Sequence, residues 1–338
     1  MNYSQRVELF SKLGDIFQQL NAESPLLQQA YLFNNWFTID MQLLSFSAWA
    51  KLLTKENLEK WLSQYPKLDQ TNPKTVAIIM AGNIPLVGFH DLLSVLITGN
   101  IALVKPSSDD TKIMQWVIAQ IIEINPEMAN FIRFAEDGQL KNFDAVIATG
   151  SNNSHRYFEY YFKNKPNILR KNRNSLAILT GNETPEELDL LADDVFMYFG
   201  MGCRNVSKLL LPHGFDLEPI FLAFERYKDV INHNKYANNY TYHKALFLMN
   251  QDLHLDNGFL IVKQDNSLSS PLSVLMFQFY ETQSDIQNYF ESQTNQIQCV
   301  VGSDRSLGYI PFGKSQQPEL WDYADGVDTI AFLNSINQ

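Results

Sequence analysis

From residue 75 onward the chain alternates between two textures, and that alternation constrains the fold more than any other feature. "TVAIIMAG" (75–82) and "NIALVKPSS" (100–108) are short runs rich in β-branched residues that end in turn formers. Between them "PLVGFHDLLSVLIT" (85–98) reads as a helix. Strand, helix, strand in that order is the mark of a parallel βαβ unit. The pattern goes on with a helix "SDDTKIMQWVIAQIIEI", a strand "FDAVIATGS", a helix "SHRYFEYYF" and a strand "SLAILTG". "TPEELDLLADDVFMYF" then opens with Thr184, Pro185 and Glu187, a capping box with proline in the first turn.

After this come strand-like "SKLLLP", a helix near "LEPIFLAFERYKDVI", and strand-like "KALFLM", "GFLIVK" and "LSVLMFQFY". A helix "SDIQNYFES" and a strand "IQCVVG" follow. Residues 1 to about 65 differ, with apolar residues at three- and four-residue steps that predict helices. "YPKLDQTNPK" (65–74) reads as the linker between the two textures. The expected class is α/β, with the helices collected at the N-terminus.

Composition narrows the function classes. Apolar residues make up 45% of the 338 and aromatics 13%, which excludes a disordered chain. The formal net charge of −11 argues against nucleic acid as a partner, because phosphate neutralisation needs a basic surface. The apolar stretches break well before 18 residues, so no membrane span is expected. Two cysteines and no signal-peptide pattern suit a reducing, cytoplasmic setting. His90, His155 and the other histidines lack the paired spacing of metal ligands.

Four polar stretches fall where the pattern places the carboxyl ends of parallel strands, the ligand-binding edge of open α/β sheets. They are "AGNIP" (81–85), "KPSS" (105–108), "TGSNNS" (149–154) and the loop that holds Cys203. A small buried hydrophobe is one reading of Cys203. The other is a thiolate nucleophile, since a glycine-rich approach leaves room for a carbonyl carbon at sulfur. Cys299, inside "IQCVVG", reads as a strand residue.

The order N-x-P, GN-x-x-x-x-KPS, TGS, then a helix leading to G-x-x-C and a strand resembles the aldehyde dehydrogenase superfamily. Within it, "MAGNIPLVGFHDLLSVLITGN" and "IPFGKSQQPELWDYADG" make the chain similar to the bacterial LuxC-like acyl-CoA reductases. The resemblance implies two Rossmann-like α/β domains after the N-terminal helical segment. It suggests 1–199 as helices plus nucleotide-binding domain and 200–338 as catalytic domain, with the C-terminal tail able to return to the first. It implies Cys203 as the nucleophile. It also implies that the Asn83 side chain, otherwise a turn residue before Pro85, donates to the oxyanion beside the Cys203 N–H.

The same resemblance assigns Lys105, Ser107, Ser108, Thr149, Gly150 and Ser151 to the nucleotide. Lys105 also suits a snorkelling surface lysine, and Ser151 or Asn152 suits a plain helix cap, which is compatible with phosphate binding. Many NAD-using relatives carry an acid three positions after the lysine. Ser108 stands there and tolerates the 2′-phosphate of NADP. Hydrolytic relatives carry a deacylating glutamate at the position matched by Arg170 in "RKNRNS", yet no acid occurs from Lys163 to Leu179. Arg170, Lys171 and Arg173 then read as a solvated basic loop, or as contacts for CoA phosphates. Ser267 stands where many relatives hold the nicotinamide ribose with a glutamate.

The implied activity is NADP(H)-dependent reduction of an acyl-CoA thioester to the aldehyde through an acyl-Cys203 intermediate, with an acyl-supplying protein as a further partner. The alternatives are a hydrolytic aldehyde dehydrogenase and a non-catalytic scaffold of the same fold.

Overall fold

The computed structural model describes residues 1–65, 72–136 and 138–336. The expected linker at 65–74 therefore lies largely outside the described residues. The chain divides into two compact units, residues 1–172 with 319–338, and residues 173–318.

The first unit begins with four helices, α1 (Tyr3–Gln18), α2 (Pro25–Phe33), α3 (Ile39–Leu52) and α4 (Lys55–Leu62). Their starts are locally encoded. Asn2 and Gln5 form a capping box on α1, and Thr38 and Thr54 accept from backbone N–H groups at the starts of α3 and α4. The α/β layer follows as β1 (Thr75–Ile79), α5 (Phe89–Ile97), β2 (Ile101–Lys105), α6 (Thr111–Ile124), β3 (Ile132–Phe134), β4 (Ala145–Thr149), α7 (Asn152–Phe162) and β5 (Asn167–Arg170). The sheet is parallel in the order β3-β2-β1-β4-β5. The strand order reverses between β1 and β4, so this is the topological switch point. The helices bury Phe10, Phe17, Phe46, Trp61 and Phe89 in one core with β1 and β2. Phe17 meets Phe46 edge to face at 5.0 Å.

The second unit holds β6 (Asn174–Ile178), α8 (Pro185–Phe196), β7 (Val206–Pro212), α9 (Glu218–Phe224), α10 (Asn234–Asn250), β8 (Leu255–Asp256), β9 (Ile261–Gln264), β10 (Val274–Tyr280), α11 (Gln283–Ser292) and β11 (Ile297–Val301). Its sheet runs β11-β6-β7-β10-β9-β8, parallel except for the β8–β9 pair. The capping box expected at Thr184 and Glu187 starts α8. The last helix, α12 (Thr329–Ser335), packs on α5 in the first unit. Among the described residues no helix is long and apolar enough to cross a membrane.

Several expectations are corrected. The division falls at 172/173, not 199/200, because β6 pairs with β7 and β11 and so belongs to the second sheet. "KALFLM" is the last part of α10, not a strand. A six-residue apolar run carries no period of its own, and here Tyr236, Tyr240 and Phe247 fix the helical face while Leu248 and Met249 stay exposed. The helix expected from Pro85 starts at Phe89. Leu86 takes a left-handed φ of 62° there, and its N–H donates to Asp110 Oδ2 at 3.0 Å. The short strands β3 and β5 have no counterpart in the sequence reading.

Candidate active site

In the first unit the predicted nucleotide residues share one edge. β2, β1 and β4 are neighbours and parallel, so Lys105–Ser108, Gly82–Asn83 and Thr149–Ser151 follow their carboxyl ends side by side at the switch point. Gly82 has to be glycine. A Cβ there would stand 2.4 Å from Ser107 Cβ and Oγ, so the missing side chain lets the "AGN" and "KPSS" loops touch. Ser107 is half-buried against it, while Asn83 and Ser108 are exposed. Asp110 turns inward and is buried. Burial pushes its carboxyl well above the usual range, although the Leu86 N–H opposes this. Its side chain braces the turn after Asn83 and stays inside the protein.

Ser151 caps α7, accepting from the Ser154 N–H at 3.2 Å, and Gly150 N–H donates to the Arg170 carbonyl at 3.2 Å. Helix α7 buries none of its residues deeply. Its exposed first turn, the side-chain-free Gly150, the exposed Ser108 hydroxyl and half-buried Lys105 are a donor set suited to an anionic nucleotide.

Cys203 lies in the second unit, in the turn between α8 and β7, and is exposed. This corrects the expected carboxyl-edge placement. The chain enters β7 through this turn, so Cys203 stands at the amino end of β7, beside the start of β6. The approach is strained. Tyr198, Phe199 and Gly200 take φ of 53°, 57° and 77° in succession. Two left-handed non-glycine residues cost about 1–3 kcal/mol each and persist only where the surroundings over-determine them. Here Tyr198 and Phe199 are both buried, with the Phe199 ring 4.6 Å from His233.

Asn205 holds the turn. Its Nδ2 donates to the carbonyls of Asp194 (3.0 Å) and Met197 (2.9 Å), which the end of α8 leaves without helical partners. Its Oδ1 accepts the Gly202 N–H at 2.8 Å. A Cβ on Gly202 would stand 2.9 Å from that Oδ1 and 3.4 Å from the Gln316 amide, so a side chain here would displace the Asn205 oxygen that accepts the Gly202 N–H. The "IPFGKSQQ" segment closes on the same turn. Buried Asp194 accepts the Gly313 N–H at 2.7 Å and the Ser315 N–H at 2.9 Å, and Arg204 Nε donates to the Ser315 carbonyl. Burial raises the Asp194 carboxyl, and those two N–H groups pull it back down. Asn205, Asp194 and Ser315 were missed from sequence. An asparagine two residues after the cysteine is a faint signal, and the contact with Ser315 lies across more than a hundred residues.

Arg170 is not in a solvated loop. It is the last residue of β5 and is buried. Its Nη1 donates to Asp91 Oδ1 and Oδ2 at 2.8 and 2.7 Å, and Nη2 donates to Thr329 Oγ1 at 3.1 Å. Its guanidinium is committed to α5 and α12, so a role on CoA phosphates falls away. Lys171 is exposed and Arg173 Nη1 donates to the Ile297 carbonyl at 3.4 Å. Ser267 follows a compact acid, Asp265, whose Oδ1 accepts the Ser267 N–H at 2.9 Å. Asp265 also accepts from Lys263, and its carbonyl takes the Nζ of Lys208. Lys208 is fully buried in β7, and burial lowers its ammonium to about 8. A depression of about 560 Å³ lined by Phe215, Phe221, Leu222 and Leu255 contains none of the candidate residues.

These two parallel units have the fold of the aldehyde dehydrogenases. An indole-3-acetaldehyde dehydrogenase bound to NAD+ superposes with a TM-score of 0.68 at 14% identity, over 91% of this chain and 73% of that one. The NAD+ complex of an aldehyde dehydrogenase from Bacillus cereus gives 0.66 at 14% identity, over 91% and 73%. Within that fold the chain is similar to LuxC proteins. Residues 49–216 match the family model for acyl-CoA reductase (LuxC), a segment that includes Asn83, the loops at 105–108 and 149–151, and Cys203. A long-chain acyl-protein thioester reductase from Aliivibrio fischeri is 25% identical over 266 residues, covering 70% of this chain. The chain spans about half (53%) of that relative's length.

Proposed function

We propose that the protein reduces an acyl thioester to the aldehyde through an acyl group carried on Cys203, with NADP(H) as the cofactor and acyl-CoA as the donor. The observation that carries this reading is an exposed cysteine at the end of a strained, side-chain-braced turn, in a chain whose position 170 offers a buried, ion-paired arginine instead of a base.

The Cys203 thiolate attacks the thioester carbonyl carbon, the carbonyl electrons move to oxygen, and the CoA sulfur leaves as the carbonyl re-forms. The Cys203 N–H and the Asn83 side-chain amide are the proposed donors to the transient oxyanion. Lys105, Ser107, Ser108, Thr149, Gly150 and Ser151 would hold the nucleotide, with α7's first-turn N–H groups facing its phosphates. When bound, the nicotinamide would supply a hydride to the acyl carbon, and the C–S bond to Cys203 breaks as the aldehyde forms, which returns Cys203 as the thiolate. The alternative fate of the acyl group is transfer to water, which is slow without a positioned base. The family name and the relative's name differ in donor, acyl-CoA against acyl-protein, and share a thioester. An acyl-supplying protein remains part of the proposal on that ground.

The test is NADPH consumption with a panel of acyl-CoAs, together with the intact mass after acyl-CoA alone. One acyl group on Cys203, lost in Cys203→Ala, is the expected result. Acylation that persists in that variant, or that sits on Cys299, overturns the assignment.

A further inference from the structure

Ser175 sits opposite two irregularities in its sheet. On one side β11 pairs Ile297 with Asn174 and next Val300 with Leu176, so Gln298 and Cys299 together face Ser175. On the other side β7 pairs Val206 with Ser175 and next Lys208 with Leu176, which leaves Ser207 extra. Bulges re-aim side chains and concentrate beside active sites. These two converge on one fully buried hydroxyl.

Ser175 Oγ stands 3.0 Å from the Cys203 carbonyl, 3.0 Å from Cys299 Sγ and 3.2 Å from the Cys299 N–H. A hydroxyl has one proton and two acceptor lone pairs. The carbonyl can only accept, so the proton goes to Cys203. The lone pairs take the Cys299 N–H and S–H. The arrangement is complete only while Cys299 is a thiol. A thiolate or an alkylated sulfur at 299 no longer donates.

We propose that Ser175 is a positioning residue for Cys203 and that the Cys299 thiol holds the Ser175 hydroxyl in its donating orientation. Ser175 pins the carbonyl that follows the Cys203 Cα, while Asn205 pins the Gly202 N–H that precedes it. Together they fix the direction of the Cys203 N–H and of its sulfur. Cys299 thereby acts on the reaction without touching substrate. The inference rests on the proposed reading of Cys203 as nucleophile, but it can be tested apart from it.

The experiment compares Ser175→Ala, Ser175→Thr, Cys299→Ala and Cys299→Ser by acyl-CoA reduction and by iodoacetamide labelling of the Cys203 peptide. Ser175→Ala lowers kcat about tenfold with KM nearly unchanged, and Ser175→Thr recovers most of the loss. Cys299→Ala loses about threefold, and Cys299→Ser, which keeps a donor, loses less. Cys203 labelling slows in the same order. A folded Ser175→Ala protein with wild-type kcat and labelling overturns the proposal. If Ser175→Ala does not fold, the two Cys299 variants decide, and equal rates in both overturn it. If the wild type reduces no acyl-CoA, the proposed function fails while the labelling series still supports or overturns the positioning role.

Discussion

At the scale of single residues, the chemistry depends on what is absent as much as on what is present. Gly202 leaves its side-chain space to the Asn205 and Gln316 side chains, and Gly82 leaves its space to Ser107. Ser108 is exposed where many NAD-using relatives carry an acid, and neighbouring Asp110 is turned inward and buried. Ser108→Glu is therefore expected to raise the KM for NADPH by about tenfold while changing that for NADH far less, since a new carboxylate opposes only the 2′-phosphate. Steady-state kinetics with both cofactors check this. Equal effects on the two refute the assigned contact.

At the scale of elements, two buried charges define what β5 and β7 tolerate. Arg170 at the end of β5 is bound bidentately by Asp91 of α5, and both are buried. Removing one partner strands a buried charge, so Asp91→Ala should cost about 3–5 kcal/mol, while Asp91→Leu with Arg170→Met should cost clearly less. Urea unfolding of the three proteins measures it, and a double variant as unstable as the single one contradicts the account. Lys208 in β7 gives a pH signature. Its folded-state ammonium titrates near 8, below the ordinary 10.5, because burial disfavours the charge. Between these values the unfolded chain binds more protons, so stability rises with pH from about 8 to about 10.5, by up to about 3 kcal/mol. Below that window both states are protonated and the penalty is present in full. Lys208→Met should remove that rise and be relatively more stable near pH 7, as read from unfolding midpoints across pH 7–10. A wild-type curve that is flat or falling relative to Lys208→Met over this window counts against the assignment.

At the scale of the whole molecule, what was legible in the sequence was what neighbours in sequence determine. The strand–helix alternation, the Thr184 capping box and the loops at residues 82–83, 105–108 and 149–151 follow from local pattern, and the structure contains them. The contacts that shape the candidate site join distant positions: Asp91 with Arg170, Ser175 with Cys203 and Cys299, Asp194 with Gly313 and Ser315. No local period marks them. The wrong sheet edge for Cys203 has the same origin, because a loop's polarity is visible in sequence while the edge it occupies depends on which strand it enters.

Arg170 carries this argument to the reaction itself. Sequence showed only that an acid was missing there, which a displaced side chain could repair. The structure shows the arginine's Nη1 bound by Asp91 and its Nη2 by Thr329, and two other acids of the first unit, Glu136 and Glu159, are exposed, Glu159 on α7 with its Oε1 3.2 Å from His155 Nε2. On the proposed reading, a thioester on Cys203 finds no base at position 170 to activate water and needs none to exchange with a thiol. The isolated acyl-enzyme is expected to persist in buffer and to be discharged by added CoA at least about a hundredfold faster, the range that one general base contributes. The measurement is the decay of the acylated mass with and without CoA. Decay in water as fast as with CoA would make the protein an acid-releasing dehydrogenase, whereas an acyl-enzyme that waits for CoA or NADPH makes the ion-paired arginine part of how the site chooses its product.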